Sequence, residues 1–195
     1  SNSEKEINET RTLISVNYVT LSYGLMFTAL ILFPVILNLI PKYQGTVKLL
    51  NLVAVTVLMQ INSLGYTTHL MAQNKERILA GISLISLAVH ISVSSILILW
   101  LKVTYEYVIV SALISYFVYT YLSAINSINL ISQPKQMFEV ILEFFPLRLL
   151  IPYCIALISI VSNISILIVA PLLLFILLNK DELRQISNTI RLIIL

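Results

Sequence analysis

The side chains able to do chemistry in this sequence are few, and they recur at helical intervals inside otherwise apolar stretches. Asn17, Thr20, Gly24 and Thr28 follow i, i+3, i+7, i+11, and Ser83, Ser86, His90 and Ser94 repeat that spacing. Ser115, Tyr119, Ser123 and Asn126 follow i, i+4, i+8, i+11, while Gln60, Ser63 and Thr67 share an arc beside Asn62, Tyr66 and His69. On a 3.6-residue pitch each set lies on one helix face. Such faces offer hydroxyl, amide and imidazole groups, which hydrogen-bond either a polar solute or a neighbouring helix. His90, midway along its apolar stretch, adds a group of the kind that takes up and releases protons near neutral pH, and is a candidate for proton coupling. Arg148 lies between Pro146 and Pro152, and a cation there must either snorkel to the surface or face a wet cavity suited to an anion.

Other chemistries lack their residues. Asp181 is the sole aspartate and has no Asp-X-Asp or nearby histidine with which to form a metal or acid-base site. HEXXH, Walker A and Rossmann patterns are absent, and four glycines provide no phosphate-cradling loop. No Cys/His cluster suits zinc, and no basic-aromatic patch suits nucleic acid. Cys154, the lone cysteine, lies in an apolar stretch and is read as packing. Catalysis, cofactors, metals and a nucleic-acid partner are therefore not expected.

The elements that must position these residues are membrane spans. Residues 12–41, 49–74, 78–101, 107–134 and 149–179 carry no charge, and each exceeds the roughly 20 residues a helix needs to cross a bilayer core. Hydrophobic residues make up 58% of the chain against 11% charged, with a mean hydropathy of +0.95, so the bilayer is its solvent. Barrel strands would alternate in hydropathy, and these runs do not, so the expected fold is an all-α, polytopic bundle.

The last stretch, with the apolar lead-in Val140–Leu147, accommodates two spans, near 140–160 and 163–179, turning at Val161-Ser162-Asn163. Six spans put nine basic residues on one side (Lys5, Arg11, Lys75, Arg77, Lys135, Arg148, Lys180, Arg184, Arg191) and three on the other (Lys42, Lys48, Lys102), whereas five spans divide them six to six. Basic residues concentrate in cytoplasmic loops, which favours six spans with both termini cytoplasmic. The expected organisation is a cytoplasmic segment 1–11, a six-helix transmembrane region 12–179 and a cytoplasmic tail 180–195, the tail being either an amphipathic surface helix or disordered. Ser132–Glu139 is the longest polar connection. Trp100 and Tyr43 fall at span exits, where amphipathic rings sit at headgroup level. Pro34, Pro146, Pro152 and Pro171 are each expected to kink or break a span. The opening SNSEKEINETR is too hydrophilic for a signal peptide, and a start on Ser1 without Met reads as a trimmed or partial chain.

Four patterns occur in a telling order: NLIPKYQGTVKLLNLVAV at 38–55, HLMAQNKERILAGISLISLAV at 69–89, SALISYFVYTYL at 111–122 and LLNKDEL at 177–183. Together they resemble the second half of bacterial polysaccharide-repeat-unit flippases, the O-antigen and capsule (Wzx-type) exporters of the multidrug/oligosaccharidyl-lipid/polysaccharide superfamily. The resemblance implies one six-helix lobe of a two-lobe transporter in the bacterial inner membrane. It implies alternating-access transfer of a polyprenyl-pyrophosphate-linked oligosaccharide for lipopolysaccharide or capsule assembly, with membrane lipids and a missing N-terminal lobe or second copy as partners. Placement and chemistry then suggest Arg148 for headgroup charge and Gln60, Tyr66, Tyr119, Asn126 and Asn17 for sugar contacts. The alternatives are a drug or metabolite:cation antiporter of the same superfamily, which would want acidic residues in the bundle, and a non-catalytic membrane assembly subunit. With six spans, Lys42→Cys and Lys180→Cys should be labelled from opposite membrane faces by an impermeant thiol reagent; labelling from one face would exclude this topology.

Overall fold

The structure is a computed structural model that describes residues 2–130, 135–162 and 168–194, with side chains described from residue 16 to 187 except at 41, 44, 105 and 106. Among the described residues every regular element is helical. α1 spans Asn2–Asn38, and a 3-10 turn at Pro41–Thr46 leads into α2, Val47–Ile61. α3 is Leu64–Ala72, α4 is Glu76–Ser95 extended by a π-turn at Ile96–Trp100, and α5 is Ile109–Asn129. α6, α7, α8 and α9 follow at Met137–Phe144, Leu147–Val161, Val169–Leu178 and Lys180–Ile194.

Four helical stretches are long and apolar enough to cross a bilayer: Val16–Asn38, Val47–Ala72, Glu76–Trp100 and Ile109–Asn129. α6 and α7 make a fifth if that bent pair counts as one span. This is an all-α chain with the helices of a multi-pass membrane protein. α7 ends at the expected turn, with Val161 last and Ser162 capping it, but Asn163 and the start of the expected sixth span lie outside the described residues. α8 has ten residues, about 15 Å, which is half a hydrocarbon core.

The span expected near 140–160 is interrupted at Phe145–Pro146, one of the breaks expected of its prolines. Phe145, at φ −133 and ψ 70, leaves helical conformation, and Pro146 caps the next helix. The ring of Pro146 disfavours the α region at the residue before it. Arg148 is thus the second residue of α7. The polar connection is also shorter than expected, because Met137–Glu139 form the first turn of α6, closed by a capping box between Gln136 and Glu139. Of the prolines expected to kink or break spans, Pro34 and Pro152 lie within continuous helices, and Pro171 sits in the first turn of α8, where backbone N–H groups have no intrahelical partner anyway. The tail, left open between helix and disorder, is helical as α9.

The chain divides into two compact units. One comprises residues 1–12 and 56–145, the other 13–55 and 146–195. In the first, α5 packs on α3 and α4 around Leu70, Leu79 and Ile82, with Tyr119 and Leu122 against them. Only 11% of the apolar window of α4 is buried, and Trp100 at its end is 83% exposed, as suits a helix that faces lipid. In the second unit, Tyr23 and Phe27 of α1 meet edge to face at 5.7 Å, and Phe27 meets Phe175 of α8 likewise at 5.7 Å. A Cβ at Gly24 would stand 3.2 Å from the Phe175 ring, so a glycine lets α8 approach α1. The inward face of α1 therefore runs through Thr20, Tyr23, Phe27 and Leu30, about one residue round from the expected polar stripe. Thr28 is exposed and returns its hydroxyl to Gly24 O at 2.8 Å.

The α3–α4 turn has a local cause. Asn74 adopts φ 54 while Lys75 N–H bonds Leu70 O and Asn74 N–H bonds Met71 O, the pair of bonds of a Schellman ending. Asparagine tolerates this left-handed position and β-branched residues do not. Asn74→Gly should leave thermal unfolding in detergent within a few tenths of a kcal/mol of wild type, and Asn74→Val should destabilise by about 1–2 kcal/mol.

Candidate functional site

The first unit is held by hydroxyl contacts along α5. Ser86 of α4 donates to Ser115 O at 2.7 Å, and Ser115 donates to Ser86 O at 2.8 Å, with the two oxygens 2.8 Å apart. One turn towards the start of α5, Ser111 contacts Ser94 Oγ at 2.7 Å and His90 Nδ1 at 3.0 Å, and donates to Val108 O at 2.6 Å. Towards its other end, buried Ser127 meets His69 Nδ1 of α3 at 2.8 Å. Much of what the periodicity marked as polar face is thus interhelical bonding. Ser123 is an exception: its buried hydroxyl has no hydrogen-bond partner among the described residues.

The second apolar stretch is broken between α2 and α3. Ser63 N–H bonds Gln60 O rather than continuing the i−4 ladder, and the Ser63 hydroxyl donates to the same carbonyl at 2.7 Å. Met59 O, deprived of the Ser63 N–H it would accept in a continuous helix, takes instead the hydroxyl of Thr120 at 3.1 Å. A neighbouring threonine restoring a freed carbonyl is what makes a break tolerable inside a membrane. Gln60, in the last turn of α2 beside this interruption, lines the edge of a cleft.

That cleft, about 370 Å³, is lined by Gln60, Ser83, Ser86, His90, Ser115, Tyr116 and Tyr119 together with Leu87 and Ala112. None of these residues is charged. Two tyrosine rings, an amide, three serines and an imidazole surround a volume within the range of small-molecule sites, about 300–1,000 Å³. Such a lining can stack on the apolar face of a polyhydroxylated ring and bond its hydroxyls.

Of the residues expected from sequence to bind or couple, Gln60, Tyr119 and His90 converge here. Tyr66 is buried instead, and Asn126, half-buried, donates to Leu122 O of its own helix at 2.8 Å. Tyr116 is a lining residue the expected set omits; its signal is the i, i+3 spacing to Tyr119 within SYFVYTY. Asn17 and Arg148 belong to the second unit. There the Arg148 guanidinium pairs with Glu182 in the first turn of α9, and buried Asn179 donates to Phe175 O at 2.9 Å and Arg148 O at 3.3 Å. An arginine in the first turn of α7 opposes that helix's dipole, and Glu182 offsets it. Among the described residues no group of three His, Cys, Asp or Glu could hold a metal ion.

Comparison with known proteins gives no match: no family model, no curated protein and no solved structure resembles this chain.

The Arg148–Glu182 pair is partly exposed, its side chains 30% and 19% accessible, so solvent screens it. A double-mutant cycle of Arg148→Ala and Glu182→Ala, read by thermal unfolding, should give a coupling of about 0.5–1 kcal/mol. Zero coupling would release Arg148 from this structural role.

Proposed function

We propose that this chain is one lobe of an exporter that carries a polyprenyl-pyrophosphate-linked oligosaccharide across a bacterial inner membrane by alternating access, with both termini cytoplasmic. The observation that carries the reading is the uncharged, tyrosine-rich cleft among membrane-spanning helices, bordered by a broken helix. Interrupted helices recur at transporter substrate sites because they supply polar groups where a continuous helix has none. The cleft suits the sugars of such a headgroup: Tyr116 and Tyr119 offer rings and hydroxyls, Gln60 an amide, and Ser83, Ser86 and Ser115 hydroxyl oxygens. It does not suit the pyrophosphate, for it holds no cation. O-antigen or capsule assembly is the process such a substrate serves.

The order of local sequence patterns supports the same reading, as does the excess of basic residues on one predicted side. A cation antiporter of the same architecture would need an acidic side chain at its site, and no Asp or Glu lines this cleft. One lobe forms only one wall of an alternating-access pathway, so a second lobe or copy completes the transporter.

The test uses the chain in nanodiscs and a fluorescent polyprenyl-pyrophosphoryl N-acetylglucosamine. Tyr119→Ala and Gln60→Ala should each weaken binding about tenfold, the equivalent of about 1.4 kcal/mol, while the sugar-free polyprenyl pyrophosphate should bind equally to wild type and variants. In proteoliposomes the chain alone should not flip the probe. Robust flipping by a demonstrably monomeric chain would overturn the half-transporter reading, and wild-type binding by both variants would overturn the cleft as the sugar site.

A further inference from the structure

The protons of the cleft can be counted. Ser86 and Ser115 have two hydroxyl protons between them for three mutual contacts, Ser86 Oγ to Ser115 O at 2.7 Å, Ser115 Oγ to Ser86 O at 2.8 Å and Oγ to Oγ at 2.8 Å, so both protons stay within the pair. Ser83 gives its proton to Leu79 O at 2.9 Å. What these three serines have left for a solute is lone pairs. Ser111, beside the cleft, has three partners and one proton. Val108 O, at 2.6 Å the shortest of the three contacts, can only accept, whereas Ser94 and His90 can each donate. The Ser111 proton therefore goes to Val108 O. Ser94 must then donate to Ser111 across 2.7 Å, and His90 must donate from Nδ1 across 3.0 Å, for all three contacts to be hydrogen bonds at once.

We propose that Ser111 holds His90 as the Nδ1–H tautomer, so that the imidazole offers its Nε2 lone pair to the cleft and completes a surface of acceptors that takes a solute through the solute's hydroxyl hydrogens. Ser111 is the positioning residue and His90 the specificity-determining one. Nε2 makes no hydrogen bond among the described residues, and the ring lines the cleft, which is where that nitrogen can find a partner. Tyr116, Tyr119 and Gln60 can donate or accept and adapt to either kind of ligand; the serines and His90 set the bias. A phosphate or carboxylate, which brings acceptors only, meets lone pairs at these four positions and is refused.

This inference deepens the reading of the cleft as a sugar site and rests on it for its ligand, but not for its tautomer. His90 is also the one lining group whose hydrogen-bonding sense a proton inverts: the imidazolium presents N–H at Nε2 and a positive charge. The Asp, Glu, Lys and Arg residues of this region stand at helix ends, Glu76 and Arg77 in the first turn of α4 with Lys75 before it, and Lys102 and Glu106 between α4 and α5, and the titratable groups facing α4 are Tyr116 and Tyr119 of α5, with His69 of α3 nearer that first turn.

The experiment has two arms on the full chain in nanodiscs. In the first, 15N-histidine NMR at pH 8, with His90→Asn to assign the signals, should find His90 protonated at Nδ1 in wild type and in Ser111→Thr, and at both nitrogens in exchange or at Nε2 in Ser111→Ala. Finding Nε2–H in wild type, or no change in Ser111→Ala, overturns the proposal, whatever the chain transports. In the second, N-acetylglucosamine and inorganic pyrophosphate compete with the fluorescent lipid-linked sugar. At pH 8 the sugar should displace it and pyrophosphate should not. Pyrophosphate displacing the probe as well as the sugar does overturns the acceptor bias. If the fluorescent probe does not bind at all, the sugar reading fails while the tautomer result still decides this proposal.

Discussion

A hydroxyl or carbonyl without a partner inside a bilayer costs several kcal/mol, and the way this chain meets that constraint determines what the rest of its first unit can do. The reciprocal Ser86–Ser115 bonds satisfy two hydroxyls with two backbone carbonyls across the α4–α5 contact. Because both protons are consumed in packing, the same residues that hold the helices together face the neighbouring cleft as acceptors. Structure and specificity are here two consequences of one allocation of hydrogens. The alternative, a purely apolar seam, would pack as well and leave the cleft with no polar floor.

The same constraint explains why the break between α2 and α3 is stable. Opening a helix frees carbonyls, and a membrane offers no water to occupy them. Ser63 returns to Gln60 O, and Thr120 reaches Met59 O from α5, so the break is closed by side chains from within its own unit. Thr120 is fully buried, which means its hydroxyl was placed for this carbonyl and not for solvent. In the second unit Asn179 does comparable work at the junction of α7, α8 and α9, where one buried amide bonds carbonyls of Phe175 and Arg148.

The fold class was legible because hydropathy is a sum over twenty or more residues and survives local irregularity: four of the five charge-free stretches contain a span close to where they predict one. Breaks were less legible. Pro146 breaks a helix while Pro34 and Pro152 do not, since the outcome depends on whether neighbours can cover the freed carbonyl, and that is tertiary information. Periodicity found the α4 and α5 faces and part of that of α1: Thr20 and Gly24 turn inward, but the aromatic pair Tyr23 and Phe27 has more area to bury and takes the rest of the face, leaving Thr28 exposed. The pairing of Arg148 with Glu182 has no local signal, because its partner is 34 residues away on another helix.

Tyr119 and Asn126 share one arc of α5, and Gln60 and Tyr66 lie on neighbouring arcs, yet of these only Tyr119 and Gln60 line the cleft with His90. Spacing alone cannot separate these groups, since a helix face says which residues point together and not whether a partner already fills the space in front of them. The deciding variable is what remains unspent after packing. An asparagine that can reach its own helix carbonyl does so, as Asn126 does with Leu122, and is lost to a ligand. Gln60 sits at the last turn of α2, where its own carbonyl is taken by the N–H and hydroxyl of Ser63, and its side-chain amide lines the cleft. A polar residue at a helix break is thus better placed to bind than the same residue mid-helix, because its local backbone demands have been met by others.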